Sequence, residues 1–426
     1  MTLRPAMIFA AIMVCCATQS GAQSGLPSGL PIGLPGGLPA GLPPGQQALP
    51  NLGAITSPVL GQVPNLLDRT IGEVGKALRA ARLDRIDTLL QANRQTLERD
   101  GDGAPARRGV LLLIDPNPAT LVAVQALGFD PAKPETIDGL DITVSRVTLP
   151  TGMALAQAQK LLRRKLPTAN VSSDQIFFQS GGAGSAAGGA SRTAADVIKT
   201  PIGLIDGAPA QPVGATKGFA KSAPFPSNHG SAVAALAQSA GARLVLVADV
   251  FGTDPVGGNA LAIAQGMGWL VARGAKVISI SLVGPRSPLL ERAVASAQAR
   301  GVIVVAAVGN DGPAAPPSYP ASYGGVLAVT GVDRRNRPLI EAGRALHLDY
   351  AAPGADLAAL DKSGRLVAVR GTSFAAPLVA VRVAAMLDRG FGPHAVAGAL
   401  DAEAVPLSHR RPDPLSGRGL LCGVCR

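Results

Sequence analysis

Aromatic side chains are scarce in this chain. They make up 3% of 426 residues, with 1 Trp, 3 Tyr and 9 Phe. That excludes a surface of basic residues interleaved with stacking rings, the usual platform for single-stranded nucleic acid. It also leaves Ala, Val and Leu to fill the interior, because hydrophobic residues still reach 47%. Cysteine is limited to 4 residues. Cys15 and Cys16 lie inside an apolar N-terminal stretch, so only Cys422 and Cys425 remain at the far end. Two thiols do not complete a four-ligand zinc site. Their C-x-x-C spacing suits a local disulfide in an oxidising compartment or a redox pair, and no thioredoxin-like surroundings support the second. Beyond the N-terminus, no stretch reaches the roughly 20 consecutive apolar residues of a membrane-spanning helix. Acids are outnumbered, 28 to 39, for a net charge of +11. The basic residues are mixed with acids, as in Arg79-Ala80-Ala81-Arg82-Leu83-Asp84-Arg85. They read as a solvated surface with some attraction for anionic envelope components, not as a nucleic-acid site.

At this length two domains are expected. Residues 1–22 have the form of a secretory signal: Arg4, an apolar core over 7–14, and a small-residue cleavage site at Ser20-Gly21-Ala22. Its removal would leave an exported chain without a transmembrane anchor. Residues 23–64 form a low-complexity tether, in which Gly-Leu-Pro recurs over 25–44. Proline at that spacing permits neither a helix nor a continuous strand ladder. Residues 65–179 hold a helical pattern to about 98 and then a compact alternating unit. Strands are predicted over 110–114, 142–149 and 175–179, helices over 118–127 and 154–165, with room for one more strand within 129–137. That order suits a small α+β, ferredoxin-like domain. Residues 180–192 are almost wholly Gly, Ser and Ala, the composition of a protease-accessible linker. Residues 193–426 alternate strands (202–206, 244–249, 277–281, 302–307, 326–332) with helices beginning near 229, 258, 287 and 372. Such alternation predicts an α/β fold, a parallel sheet with helices on both faces and functional groups at the strands' carboxyl ends.

Four segments of that last part carry reactive side chains. Gly371-Thr372-Ser373-Phe374-Ala375-Ala376-Pro377 puts a serine at the start of an apolar helix. The positive field of a helix N-terminus suits a group whose transition state gathers negative charge. A plain helix cap is the competing reading. Pro201-Ile202-Gly203-Leu204-Ile205-Asp206 delivers a carboxylate at the end of a buried strand, and Ser227-Asn228-His229-Gly230-Ser231 opens another helix with a histidine. A nucleophilic serine needs such a base and such an orienter. Val304-Val305-Ala306-Ala307-Val308-Gly309-Asn310 ends a strand in an amide able to donate to an oxyanion, or in a simple Asn/Gly turn.

In this order the four segments resemble the subtilisin-like serine proteases, the subtilase family. Further blocks fit as well: Ser279-Ile280-Ser281-Leu282-Val283-Gly284-Pro285, Tyr319-Pro320-Ala321-Ser322-Tyr323 and Val326-Leu327-Ala328-Val329-Thr330-Gly331. The resemblance implies a subtilisin-like fold, a catalytic set of Asp206, His229 and Ser373, and Asn310 as oxyanion donor. It implies polypeptide substrates, with Ser281, Leu282, Val283 and Gly284 and then Ala307, Val308 and Gly309 walling the first side-chain pocket above a floor near Ser318. A small floor leaves room for a large apolar side chain, while Asp311 at the rim suits a basic one; both stay open. No cofactor is required; structural calcium is common in the family, but no acidic ligand cluster is assigned. The family has Ser or Thr and then Gly after the aspartate, whereas Asp206 is followed by Gly207-Ala208-Pro209. Residues 65–179 resemble the family's propeptide by pattern and position, which implies a zymogen cut between about 178 and 192 and an N-terminal domain acting as its own chain's inhibitor or folding aid. The alternative is a catalytically silent binding module of the cell envelope on the same fold.

Overall fold

The computed structural model describes residues 71–184, 197–410, 412–423 and 425. The signal and tether segments lie outside them, as does most of the segment read as a linker. Chain order begins with helix α1 (Ile71–Ala92), strands β1 (Leu97–Arg99) and β2 (Pro105–Ile114), helix α2 (Pro118–Ala126), then β3 (Asp130–Pro131), β4 (Glu135–Ile137) and β5 (Ile142–Thr148). Helix α3 (Leu155–Lys165) and strand β6 (Asn170–Gln179) complete this part. The strands are antiparallel, with β6 beside β2, β2 beside β5, and β3 and β4 on the far edge of β5. This is the ferredoxin-like order. Where room for one strand was expected within 129–137, two short ones occur, and β6 starts five residues earlier than its hydrophobic pattern suggests. Its first half reads Asn170-Val171-Ser172-Ser173-Asp174, too polar to signal a buried strand, yet Ser172, Ser173 and Asp174 are buried.

Leucines alternate across β2, as period two requires. Leu111 and Leu113 point with Val147 and Val171 into a core closed by Leu155, Ala158 and Leu162 of α3. Leu112 and Ile114 point the other way, with Ile142 and Val144, into a core shared with the second half of the chain.

The second half continues with β7 (Gly182–Gly184), β8 (Ile202–Asp206), β9 (Ala215–Gly218), α4 (Asn228–Ser239), β10 (Val245–Asp249), β11 (Gly258–Asn259) and α5 (Ala260–Ala272). Then come β12 (Val277–Ile280), β13 (Leu282–Val283), α6 (Pro288–Ala299), β14 (Ile303–Ala307), β15 (Leu327–Val332), β16 (Tyr350–Pro353), β17 (Leu357–Leu360), β18 (Leu366–Arg370), α7 (Thr372–Asp388) and α8 (Val396–Glu403). Seven strands form one parallel sheet in the order β16-β15-β14-β12-β8-β10-β9. Leu204, Val247, Val305 and Val329 face α4 and α7 on one side. Ile205, Leu246, Ile278 and Val304 face α5 and α6 on the other. Alanine-rich helices allow the close approach that a core poor in aromatics needs. Beyond them, the free faces of α5 and α6 carry the antiparallel sheet, so Leu261 and Met267 share a core with Leu112 and Ile142.

Candidate active site

The ends of β8, α4 and α7 meet at the carboxyl edge of the parallel sheet. Asp206 is the last residue of β8 and is 1% exposed. Ser227 caps α4 through its side chain, which accepts from Gly230 N–H at 2.9 Å and fixes His229 in the first turn. His229 Nδ1 then lies 2.8 Å from Asp206 Oδ2 and 2.9 Å from Oδ1. A carboxylate only accepts, so Nδ1 carries the proton and Nε2 is the free acceptor. Asp206 Oδ1 also accepts from Gly207 N–H at 2.7 Å.

Ser373 lies in the first turn of α7, and the ring of its neighbour Phe374 sits 5.3 Å from that of His229. Ser373 Oγ donates to the Ser281 carbonyl at 3.0 Å, and Ser281 Oγ donates back to the Ser373 carbonyl at 2.9 Å. His229 Nε2 is buried and has no hydrogen-bond partner among the described residues. All three side chains are buried, with the Asp206–His229 bond formed and the serine hydroxyl turned to Ser281.

Asn310 follows β14. Its Oδ1 accepts from Thr372 N–H at 3.1 Å, and Thr372 Oγ1 accepts from Gly309 N–H at 3.1 Å. These two bonds tie the strand end to the helix start and leave the Asn310 amide N–H free to face the cleft. Gly371 shows what it faces. At φ 140 a Cβ there would meet Asn310 Nδ2 at 2.7 Å, Gly181 Cα at 2.7 Å and the Ser180 carbonyl oxygen at 3.0 Å. Any side chain at 371 would strike the segment lying in the cleft.

That segment comes from the N-terminal half. Strand β6 runs out of its own sheet and between two short edges, pairing antiparallel with Gly258 and Asn259 of β11 on one side and Leu282 and Val283 of β13 on the other. The next residue, Ser180, donates its N–H to the Ser281 carbonyl at 3.4 Å and accepts from Ser373 N–H at 3.0 Å. Its hydroxyl is 2.6 Å from Ser373 Oγ. Beyond it, β7 pairs with β18. The start of the stretch read as a free linker is therefore pinned as a strand, because Gly and Ala backbones pair as well as any other.

The other substrate-side candidates are also placed. Ser281, Leu282 and Val283 border the bound segment, and Gly284 pairs with Tyr319. Ala307 and Val308 are buried, and Val283 packs 3.2 Å from the Cβ position of Gly309. Ser318 Oγ donates to the Val308 and Arg344 carbonyls at 2.7 and 3.0 Å, so its hydroxyl is spent on backbone. Asp311 at the rim is held by Arg85 at 2.7 Å and Arg82 at 3.1 Å, both from α1. No sequence signal linked those arginines to Asp311, 226 residues or more away, and the cut expected between about 178 and 192 did not single out Gln179 and Ser180 within that range.

Residues 216–407 match the subtilase family. The match begins ten residues after Asp206 and includes His229, Asn310 and Ser373. That segment, less than half of the chain, is similar to the subtilases. Subtilisin Savinase of Lederbergia lenta is 40% identical over 124 residues, 29% of this chain and 46% of that protein. Thermitase of Thermoactinomyces vulgaris is 31% identical over 194 residues, 45% of this chain and 65% of thermitase. The chain thus spans about half the length of the curated relatives it matches. Among solved structures, fervidolysin of Fervidobacterium pennivorans, a keratinolytic enzyme related to subtilisin, superposes with a TM-score of 0.60 at 18% identity, over 76% of this chain and 61% of that one. The epidermin leader peptide processing serine protease of Staphylococcus aureus superposes with 0.58 at 16% identity, over 74% and 97%. The fold of this chain is therefore the subtilisin-like parallel sheet flanked by helices. Among its described residues no helix is long and apolar enough to cross a membrane.

Proposed function

We propose that this chain is an exported serine endopeptidase, made as a zymogen whose N-terminal domain inhibits it until the bond after Ser180 is cut. One observation carries the reading: a peptide of the chain itself lies between β11 and β13 with the Ser180 carbonyl on Ser373 N–H. That is the pose of a substrate strand added to a sheet edge, with its carbonyl at the group that would stabilise an oxyanion. In the reaction Ser373 Oγ attacks the Ser180 carbonyl carbon and gives its proton to His229 Nε2. The Ser180–Gly181 bond then breaks, His229 protonates the Gly181 nitrogen, and water releases the acyl group by the same steps in reverse order. Asp206 holds the imidazole tautomer, while Ser373 N–H and the Asn310 amide hold the developing oxyanion. The serine at the cleavage position and Val283 packed against Gly309 favour a small side chain before the bond over the large or basic ones the sequence left open.

Ser373→Ala should abolish the cut and leave the full chain at its original mass, a loss on the order of 10⁶ in rate. Mass spectrometry of the chain ends reads this, and an active species beginning at Gly181 is the expected product. The silent-module reading draws on Gly207 following Asp206 and on the Ser373 hydroxyl turned to Ser281 and away from His229. A fluorophosphonate separates the two, since only an activated serine is labelled.

A further inference from the structure

Gln179 stands second upstream of the proposed cut, and its side chain does not point to solvent. Its Nε2 donates to Asp206 Oδ1 at 3.1 Å. The amide orientation follows from chemistry: a carboxylate accepts only, so the nitrogen must face it. Gln179 thus touches the group that orients the imidazole, on the same oxygen that receives Gly207 N–H.

Position 207 explains the need. Gly207 brings no side chain to Asp206, and a Cβ there would meet Ser227 Oγ at 2.4 Å. Ser227 is committed to capping α4, where its hydroxyl accepts from Gly230 N–H. The same Cβ position lies 3.7 Å from Gln179 Nε2. The donor that a polar residue 207 would supply is therefore supplied from the neighbouring strand, by the peptide in the cleft. That peptide leaves once cut, and among the described residues Asp206 then keeps only its backbone donor and His229.

Resting on the endopeptidase reading above, we propose that the second residue upstream of the cut is a positioning residue for Asp206, and that the enzyme selects glutamine there because its side-chain N–H completes the hydrogen bonding of that carboxylate. The catalytic geometry is then finished by the substrate. A side chain that merely filled space at this position would change KM. A donor that steadies Asp206 acts on the attack and departure steps, and so changes kcat.

The test uses the processed protein and the octapeptides Ile-Phe-Phe-Xaa-Ser-Gly-Gly-Ala, with glutamine, leucine, methionine or glutamate as Xaa. The glutamine peptide should exceed the leucine and methionine peptides in kcat by on the order of tenfold, the usual strength of a hydrogen bond to a charged group, with KM within about threefold. Glutamate, which sets a second carboxylate against Asp206, should be slowest. In the full chain, Gln179→Leu should slow the appearance of the Gly181 terminus by a similar factor. Combining Gly207→Ser with Ser227→Ala would place a hydroxyl beside Asp206 from within the enzyme, and there the glutamine preference should shrink to under about threefold. Equal kcat for glutamine and leucine, with cleavage after the serine intact, overturns this proposal and leaves the endopeptidase reading standing. Failure to cut any peptide or the chain itself, or cutting by the Ser373→Ala chain at the parent rate, removes both.

Discussion

The two sheets of this molecule bury their strands in different ways. The parallel sheet is covered on both faces by helices of its own half, α4 and α7 on one side and α5 and α6 on the other. The antiparallel sheet owns only one cover, α2 and α3, and borrows α5 and α6 for the other. A sheet with both faces hydrophobic must bury both, and this one reaches that state only by lying on its neighbour. The N-terminal half is therefore built as a docked element, and the strand that docks it, β6, is the strand that continues into the cleft.

Neighbouring leucines of β2 separate the two covers. Leu113→Ala opens the private core and Leu112→Ala the shared one; both side chains are at most 1% exposed. Each should cost about 2–5 kcal/mol, the range for a buried leucine reduced to alanine. Urea unfolding of the uncut Ser373→Ala chain measures the totals. Hydrogen exchange divides them: Leu112→Ala should loosen amides of α5 and α6, and Leu113→Ala those of α2 and α3. Faster exchange in α5 and α6 from Leu113→Ala would break the distinction.

Much of this was legible in the sequence, for a physical reason. Strands of a covered parallel sheet are short apolar runs that need no partner information to be recognised, and β8 occupies the 202–206 predicted for it. Motif spacing likewise singled out Asp206, His229, Asn310 and Ser373 as candidates, each standing at or just past a strand end or at a helix start. What escaped depends on pairing between distant segments. Strands β7, β17 and β18 are made of Gly, Ala, Leu, Val and one Arg with no distinctive period, and they exist because they pair with one another. Gln179 looks like any polar strand residue until β13 fixes its register. In the polar half of β6, Asp174 is buried where it meets the start of α5.

That meeting gives the next effect in size. Asp174 Oδ1 accepts from Leu261 N–H at 3.0 Å, at the N-terminus of α5. Burial pushes its carboxyl up from 3.8 to about 6, opposed by the Leu261 bond and by the charges of Arg107 and Arg146. A raised carboxyl pKa means the folded chain binds the proton more tightly than the unfolded one. Its contribution is therefore greatest below pH 3.8, falls as pH rises towards about 6, and is level above that. The loss is at most about 3 kcal/mol, since each unit is worth about 1.4. Asp174→Asn keeps an acceptor for Leu261 and cannot ionise. In the Ser373→Ala background it should flatten the urea midpoint between about pH 4 and 6 relative to its parent. An unchanged slope would show that docking does not depend on this carboxyl.

Ion pairs across the same junction should matter least. Arg292 of α6 meets Asp115 at 3.1 Å, but the side chains are 47% and 34% exposed. Water and salt already screen such a pair, and holding two mobile side chains together offsets much of the attraction. Arg292→Ala should change stability by less than about 1 kcal/mol, and about 1 M salt should remove what difference there is. A larger or salt-resistant loss would mean that charge, and not the face holding Leu112 and Ile114, keeps the antiparallel sheet on α5 and α6. Because apolar burial strengthens rather than weakens in excluded salts such as sulfate, adding sulfate should slow release of the N-terminal half if the shared core dominates, and the parent and Arg292→Ala chains should respond alike.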